Sequence, residues 1–314
     1  MERENHNMGH FGYKEQVLDV FKPQGIIPPH ITPFTKNGDI DEAGLRRNVD
    51  FWIEAGVNGL ATCASNGEAV YMNSEERKQV LTAVIDQANG RVPVIAGTGA
   101  PSTRDAISQT REAKDLGVDA ALVVTPYFFT PKQEEILGYY QDIAEAVDIP
   151  IILYNVPKFT GVNMEPSVVA RLAEYDNVVG VKDSSGDMRQ MQFLLNLAGD
   201  RISVLSGVGN LIFPNLVSGG QGGIVAVANV VPSTCVEIYE KFIKGDLKGA
   251  REAQAEIVAL NDFLTRQHGV PAVKAAMNLL GQRGGYPRRP LLPISEKVME
   301  ELKSILKMVK GLEL

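Results

Sequence analysis

The sequence predicts an α/β fold, a TIM (β/α)8 barrel with a C-terminal helical extension, on three observations. Short apolar runs alternate with amphipathic segments at regular intervals from Gly25 onward. The short runs number eight, the count that closes naturally into a parallel barrel when every connection is helical. More helical pattern then follows the eighth run than one barrel unit needs. A doubly wound open sheet is the alternative. It would be expected to carry a GxGxxG turn after its first strand, and Ile31-Thr-Pro-Phe34 is not one.

The first run, Gly25–Thr32, contains Pro28 and Pro29 and is followed by Pro33, so it reads as a short or irregular strand. The others are Gly59–Ser65, Val92–Gly97, Ala120–Thr125, Pro150–Asn155, Val178–Lys182, Ile202–Ser206 and Gly223–Ala228. Continuous apolar runs of this length are expected of strands buried on both faces. Asn73-Ser-Glu-Glu-Arg77 opens the clearest helix, with Ser74 as the capping serine and early carboxylates. Ser102–Leu116, Lys132–Val147 and Asp187–Leu197 follow the same pattern. After Pro232 come Cys235–Ile243, Leu247–Arg266, Val270–Leu280 and Glu296–Val309, with Pro271 tolerable in a first turn. The chain therefore divides into a polar leader with a short helix (1–22), the barrel (23–232), and the last barrel helix with its extension (233–314).

Composition narrows the function. Hydrophobic content of 44% and charged content of 22% are those of an ordinary globular protein, and 314 residues bury a large core without staples. A net charge of −7 gives no basic footprint for nucleic acid and no polybasic stretch for a membrane. Cys63 and Cys235 both lie in apolar runs and suit buried, reduced thiols. The four histidines are scattered and no HExxH or CxxC spacing exists, so metal catalysis has little support. No apolar run approaches a membrane span and the leader does not look like a signal peptide, which makes a cytoplasmic location the expectation.

Lys182 ends the apolar run Val178-Val-Gly-Val-Lys182, and Tyr154 lies near the end of Pro150–Asn155. Catalytic groups of a barrel project from the carboxyl ends of its strands. A lysine and a tyrosine at the ends of neighbouring strands are the parts a Schiff-base enzyme needs. A free lysine amine is neutral in only about one molecule in 10³ at pH 7, and desolvation favours the neutral nucleophile. A protonated imine with a 2-oxo acid then acts as an electron sink for breaking or forming the C3–C4 bond. Polar groups cluster at other strand ends too, in Ala64-Ser-Asn-Gly-Glu68 and Ser206-Gly-Val-Gly-Asn210.

This constellation resembles the dihydrodipicolinate synthase / N-acetylneuraminate lyase family of pyruvate-dependent Schiff-base aldolases, from about Gly25 to Leu292. Its most specific parts are Tyr-Asn-Val-Pro-x-x-Thr-Gly from Tyr154 and Gly-Val-Lys from Gly180, with Lys182 28 residues after Tyr154. The resemblance implies Lys182 as the imine-forming lysine and Tyr154 as the proton shuttle. It implies Ser65 and Asn66 at the pyruvoyl carboxylate, and backbone at Gly207 and Ala226 lining the pocket. It also implies a homotetramer built as paired dimers, pyruvate and an aldehyde as partners, and no cofactor.

Some positions depart from the best-known members. The synthases usually carry an arginine for a substrate carboxylate where this chain has Phe159, and a second tyrosine, donated across a dimer interface, where it has Phe128. Lys158 could supply charge but not the bidentate fork of an arginine. Gly209 and Asn210 stand where sialic acid lyases hold a polyol with acidic residues. The motifs are more similar to 4-hydroxy-2-oxoglutarate aldolases or 2-keto-3-deoxy sugar-acid aldolases, through Ser65-Asn-Gly-Glu68, Lys182-Asp-Ser184 and Gly207-Val-Gly209. Ser184 would share the Lys182 pocket, or else cap the following helix. The alternatives are dihydrodipicolinate synthase, a non-catalytic 2-oxo-acid binder, and a phosphate-handling barrel using Ser206–Gly209, which leaves Tyr154 and Lys182 unexplained.

Overall fold

The computed structural model describes residues 21–312. The predicted leader and short helix lie outside the described residues but for the last two. Eight parallel strands form one sheet: β1 (Gly25–Ile27), β2 (Leu60–Thr62), β3 (Val94–Gly97), β4 (Ala120–Val124), β5 (Ile151–Asn155), β6 (Val178–Asp183), β7 (Ser203–Ser206) and β8 (Gly222–Ile224). Each of β2 to β7 pairs with its successor, and β8 pairs with β1. The seam between β1 and β2 is a single bridge, Pro29 to Ala61. The barrel is the predicted one.

The prolines explain the seam. Pro28 and Pro29 have no N–H to give a ladder, so only the Pro28 carbonyl and the His30 N–H bond to Ala61, each at 3.0 Å. Side chains replace the missing partners. Asn229 donates to Pro29 O at 3.1 Å and accepts from Ile31 N at 3.0 Å, while Asn58 accepts from Ile26 N at 2.8 Å.

Helices fill the connections: α1 (Glu42–Glu54), α2 (Ser74–Ala88), α3 (Thr103–Leu116), α4 (Gln133–Ala146), α5 (Pro157–Thr160), α6 (Pro166–Leu172), α7 (Met188–Ala198), α8 (Ile212–Val217) and α9 (Pro232–Ile243). The extension is α10 (Leu247–Asn261), α11 (Val270–Leu279) and α12 (Glu296–Leu306). No helix among the described residues is long and apolar enough to cross a membrane.

Several boundaries differ from expectation. The cap of α2 is Asn73, not Ser74: its side chain accepts from Glu76 N at 2.9 Å while Glu76 returns a bond to Asn73 N at 3.0 Å. The expected strand Gly223–Ala228 stops at Ile224, and Ala226–Asn229 forms a 3₁₀ turn that brings Asn229 back to the β1 seam. The second strand stops at Thr62, because Cys63 adopts a left-handed φ of 51°. The expected helix Leu247–Arg266 is α-helical to Asn261 and then a π-helical turn, Asp262–Gln267.

Strand alternation divides the core into two layers. Ile27, Ala61, Ile95, Leu122, Ile152, Tyr154, Leu205 and Ile224 pack inside the barrel. Leu153, Val181 and Val204 pack outward against the helices. Lys182 follows the outward Val181, so its side chain points inward, on the side of Tyr154. Cys63 and Cys235 are free and buried, and burial pushes both thiols up.

His30 follows the carboxyl end of β1, fully buried and stacked on Trp52 with ring centres 5.2 Å apart. Burial lowers its pKa from 6.5 to about 4. The unfolded chain therefore binds a proton between those values that the folded one refuses. Stability should fall as pH drops from about 6.5 toward 4, by on the order of 3 kcal/mol from this group. Urea unfolding at pH 7 and pH 4.5 checks it, with His30→Gln expected to flatten that part of the pH dependence.

Candidate active site

Tyr154 and Lys182 are direct partners in the parallel ladder between β5 and β6. Both side chains enter the barrel near its carboxyl end, 5% and 3% exposed. The Lys182 Nζ lies 4.0 Å from the centre of the Tyr154 ring. Among the described residues that amine has no carboxylate partner. The Tyr154 hydroxyl lies 3.4 Å from Ser65 Oγ, on the turn after β2. The structure thus brings together a lysine, a tyrosine and a serine from three strand ends.

Ser184, Gly207 and Ala226 follow the carboxyl ends of β6, β7 and β8. Ser184 N donates to Asn155 O at 2.8 Å, and Gly207 N donates to Asp183 O at 2.6 Å. A Cβ on Gly207 would come 1.8 Å from Ser184 Oγ, so only glycine fits beneath that hydroxyl. The helix cap that Ser184 might have supplied comes from Asp187, whose side chain accepts from Arg189 N at 2.8 Å. Ala226 is buried in the 3₁₀ turn after β8 rather than on the strand itself. Asn66 is half-buried in the same turn as Ser65. A cavity of about 240 Å³ opens between Tyr154, Ser65, Val124 and Tyr127. Burial holds the Tyr127 hydroxyl above its usual pKa, and so protonated at neutral pH.

The departures seen in the sequence lie on the rim. Phe128 is 88% exposed with a left-handed φ of 84°, edge-on to Phe129 at 5.0 Å. Phe159 is 63% exposed in the short helix α5. Lys158 does not take over the arginine's place. Its ammonium donates to Thr265 O at 3.0 Å and Arg266 O at 3.4 Å, carbonyls of the π-helical turn.

Two supporting groups escaped the sequence reading. Behind Lys182, Asp183 points outward and is buried. Its Oδ2 accepts from Asn155 Nδ2 at 2.7 Å and Gln190 Nε2 at 2.6 Å, and its Oδ1 from Ser185 N at 3.0 Å and from the Ser185 hydroxyl. Asn163 joins Asn155 and Gln190 to the same cluster. The second group is the buried pair Glu68–Lys274, 2.5 Å apart. Burial lowers Lys274 to about 8 despite the opposing pull of Glu68. A lone Asp after Lys182 was the only local signal for the first; nothing local announces the second.

A barrel with a buried strand-end lysine whose amine lies against a tyrosine ring is the arrangement of a Schiff-base barrel enzyme. The chain belongs to the dihydrodipicolinate synthetase family, whose model matches residues 22–309, and so to a group of pyruvate-dependent lyases and synthases. It is 43% identical over 289 residues to the 4-hydroxy-tetrahydrodipicolinate synthase of Methanopyrus kandleri, covering 91% of this chain and 96% of that protein. It is 42% identical over 287 residues to the enzyme of the same name from Trichlorobacter lovleyi, covering 91% and 99%. Among solved structures, a dihydrodipicolinate synthase from Acinetobacter baumannii complexed with pyruvate aligns with TM-score 0.88 at 38% identity, covering 91% of this chain and 98% of that one. A prophage protein of the same family from E. coli K12, also in complex with pyruvate, aligns at 0.88 and 30% identity, covering 91% and 98%.

The Asp183 carboxylate only accepts hydrogen bonds, and each of its partners donates. Asp183→Asn should therefore face a donor with donors and destabilise the fold by about 1–3 kcal/mol. A lowered urea midpoint with an unchanged slope checks this, since the slope reports surface exposed rather than one bond.

Proposed function

We propose that this chain is a class I aldolase that cleaves or forms a short 2-oxo acid, to or from pyruvate (or glyoxylate) and an aldehyde. 4-Hydroxy-2-oxoglutarate and 2-keto-3-deoxy sugar acids are the substrates of that kind. The observation that carries the reading is the buried Lys182 amine against the Tyr154 ring. An amine there has no carboxylate partner among the described residues and faces the pocket as the group to attack the C2 ketone. Tyr154 delivers a proton as the carbinolamine loses water, leaving an iminium. The C3–C4 bond electrons then enter the iminium, while the C4 hydroxyl gives its proton back through Tyr154. Protonation of the enamine at C3 and hydrolysis release pyruvate and the free lysine. Ser65, Asn66 and Ser184 hold the substrate carboxylate in this reading, with backbone at Gly207 and Ala226 closing the pocket. The lysine supplies the electron sink, so no cofactor enters.

The substrate assignment is supported by the rim. Phe159 offers no guanidinium to a second carboxylate, Lys158 is engaged on the π-helical turn, and Phe128 has no hydroxyl for a relay, which within this class favours the monocarboxylate 2-keto-3-deoxy sugar acids over the dicarboxylate 4-hydroxy-2-oxoglutarate. A second reading, 4-hydroxy-tetrahydrodipicolinate synthase acting on pyruvate and aspartate semialdehyde, is favoured by the names of the relatives at 42–43% identity. The same family reading takes the exposed Phe128–Phe129 pair as a contact between copies in a tetramer of paired dimers, in the cytoplasm.

Incubation with pyruvate, then borohydride, should leave a covalent adduct on the protein by intact mass and none on Lys182→Ala. Absence of the adduct would sink the Schiff-base reading. Tyr154→Phe should still trap pyruvate at long incubation, but more slowly than wild type, and lose about 10²–10⁴ in kcat. For the substrate, cleavage of 4-hydroxy-2-oxoglutarate is compared with condensation of pyruvate and aspartate semialdehyde. A higher kcat/KM for the condensation would transfer the assignment to the synthase.

A further inference from the structure

The turn carrying Ser65 and Asn66 is exposed to the pocket on one side and tied into the C-terminal extension on the other. It closes through Gly67 N to Ala64 O at 3.0 Å and Glu68 N to Ser65 O at 3.1 Å. Glu68 ends it in the left-handed region, φ 58° and ψ 34°, a conformation that glycine or asparagine adopts more cheaply. A glutamate persists there only if its surroundings over-determine it, and they do. Its carboxylate is buried, 2.5 Å from Lys274 Nζ, and accepts from Arg288 N at 2.7 Å. Lys274 in turn donates to Tyr286 O at 2.7 Å and sits 4.4 Å from the Phe34 ring centre. The Arg288 guanidinium lies 4.1 Å from the same ring centre. It pairs with Glu76 at 2.7 Å, in the first turn of α2, and donates to Tyr71 O at 2.9 Å. Both ends of the segment from Ser65 to Glu76 are therefore fastened to residues 274–288.

We propose that Glu68 and Lys274 are positioning residues, which hold the Ser65–Asn66 turn at the height where it meets the substrate carboxylate. The proposal rests on the reading of Ser65 and Asn66 as carboxylate-binding groups. Neither Glu68 nor Lys274 touches substrate. The ion pair fixes a strained residue, the strained residue fixes the turn, and the turn fixes two polar side chains to a fraction of an ångström. The extension thereby becomes part of the site without reaching it. Because the pair acts on binding of the carboxylate and not on Lys182, its loss is expected in affinity rather than in imine chemistry.

The test is borohydride trapping of pyruvate at graded concentrations, on wild type and on the Glu68→Gln/Lys274→Met double variant. The double variant removes both charges at nearly constant volume, so it avoids leaving one buried charge unpaired. Circular dichroism and the melting transition establish that it folds. The expected result is a pyruvate concentration for half-maximal trapping raised at least about tenfold, with the trapping rate at saturation within about threefold of wild type. Glu68→Gln alone, which keeps the bond from Arg288, is the second variant and should shift half-saturation in the same direction. A folded variant that half-saturates like wild type overturns the proposal, as does a drop confined to the saturated rate. Failure of the wild type itself to trap pyruvate would instead overturn the functional reading beneath it.

Discussion

The ladder between β5 and β6 is the constraint on which the rest of the site depends. Its register sets Leu153 beside Val181, Tyr154 beside Lys182 and Asn155 beside Asp183. Side chains alternate along a strand, so a slip of one residue would exchange the barrel interior with the helix-facing layer. Lys182 would then enter a packed apolar layer and Asp183 would enter the pocket. The Asn155–Asp183 bond lies on the outward side of the same ladder and is satisfied in only one register. Structure behind the strand thus specifies chemistry in front of it.

Buried charges are treated in two ways in this fold. Asp183, Glu68 and Lys274 sit among donors, acceptors or an opposite charge, as burial requires. Lys182 sits against an aromatic ring with no carboxylate partner among the described residues. The first three are anchored by their partners; the fourth is kept out of the aqueous solvent without being tied down. The proposed imine chemistry depends on that difference, because an amine held in a salt bridge is a poor nucleophile.

Family membership and substrate are decided in different places. The eight-stranded barrel is shared with the solved relatives, whereas Phe128, Phe159 and Lys158 stand on loops and short helices at the rim. Barrel enzymes vary their substrates there, since loops change without disturbing the strands. Identity above 40% with named synthases and a rim that presents Phe128 and Phe159 are therefore compatible observations.

The strands, their order and the two central side chains were legible in the amino-acid sequence because they follow from local pattern. A buried strand shows itself as a short apolar run, and a group at its end is placed by period two alone. The weakness of the first strand was legible too, in Pro28 and Pro29. What only the tertiary structure decided lies in contacts distant along the chain. Asn229 accepts from Ile31 N across 198 residues, and Arg288 N reaches Glu68 across 220. The identity of the α2 cap depended on which of two adjacent polar residues keeps an extended backbone. Lys158 looked like a free charge until the π-helical turn supplied carbonyls for it. Periodicity carries information about which face a residue occupies, but not about what closure of the barrel brings against that face.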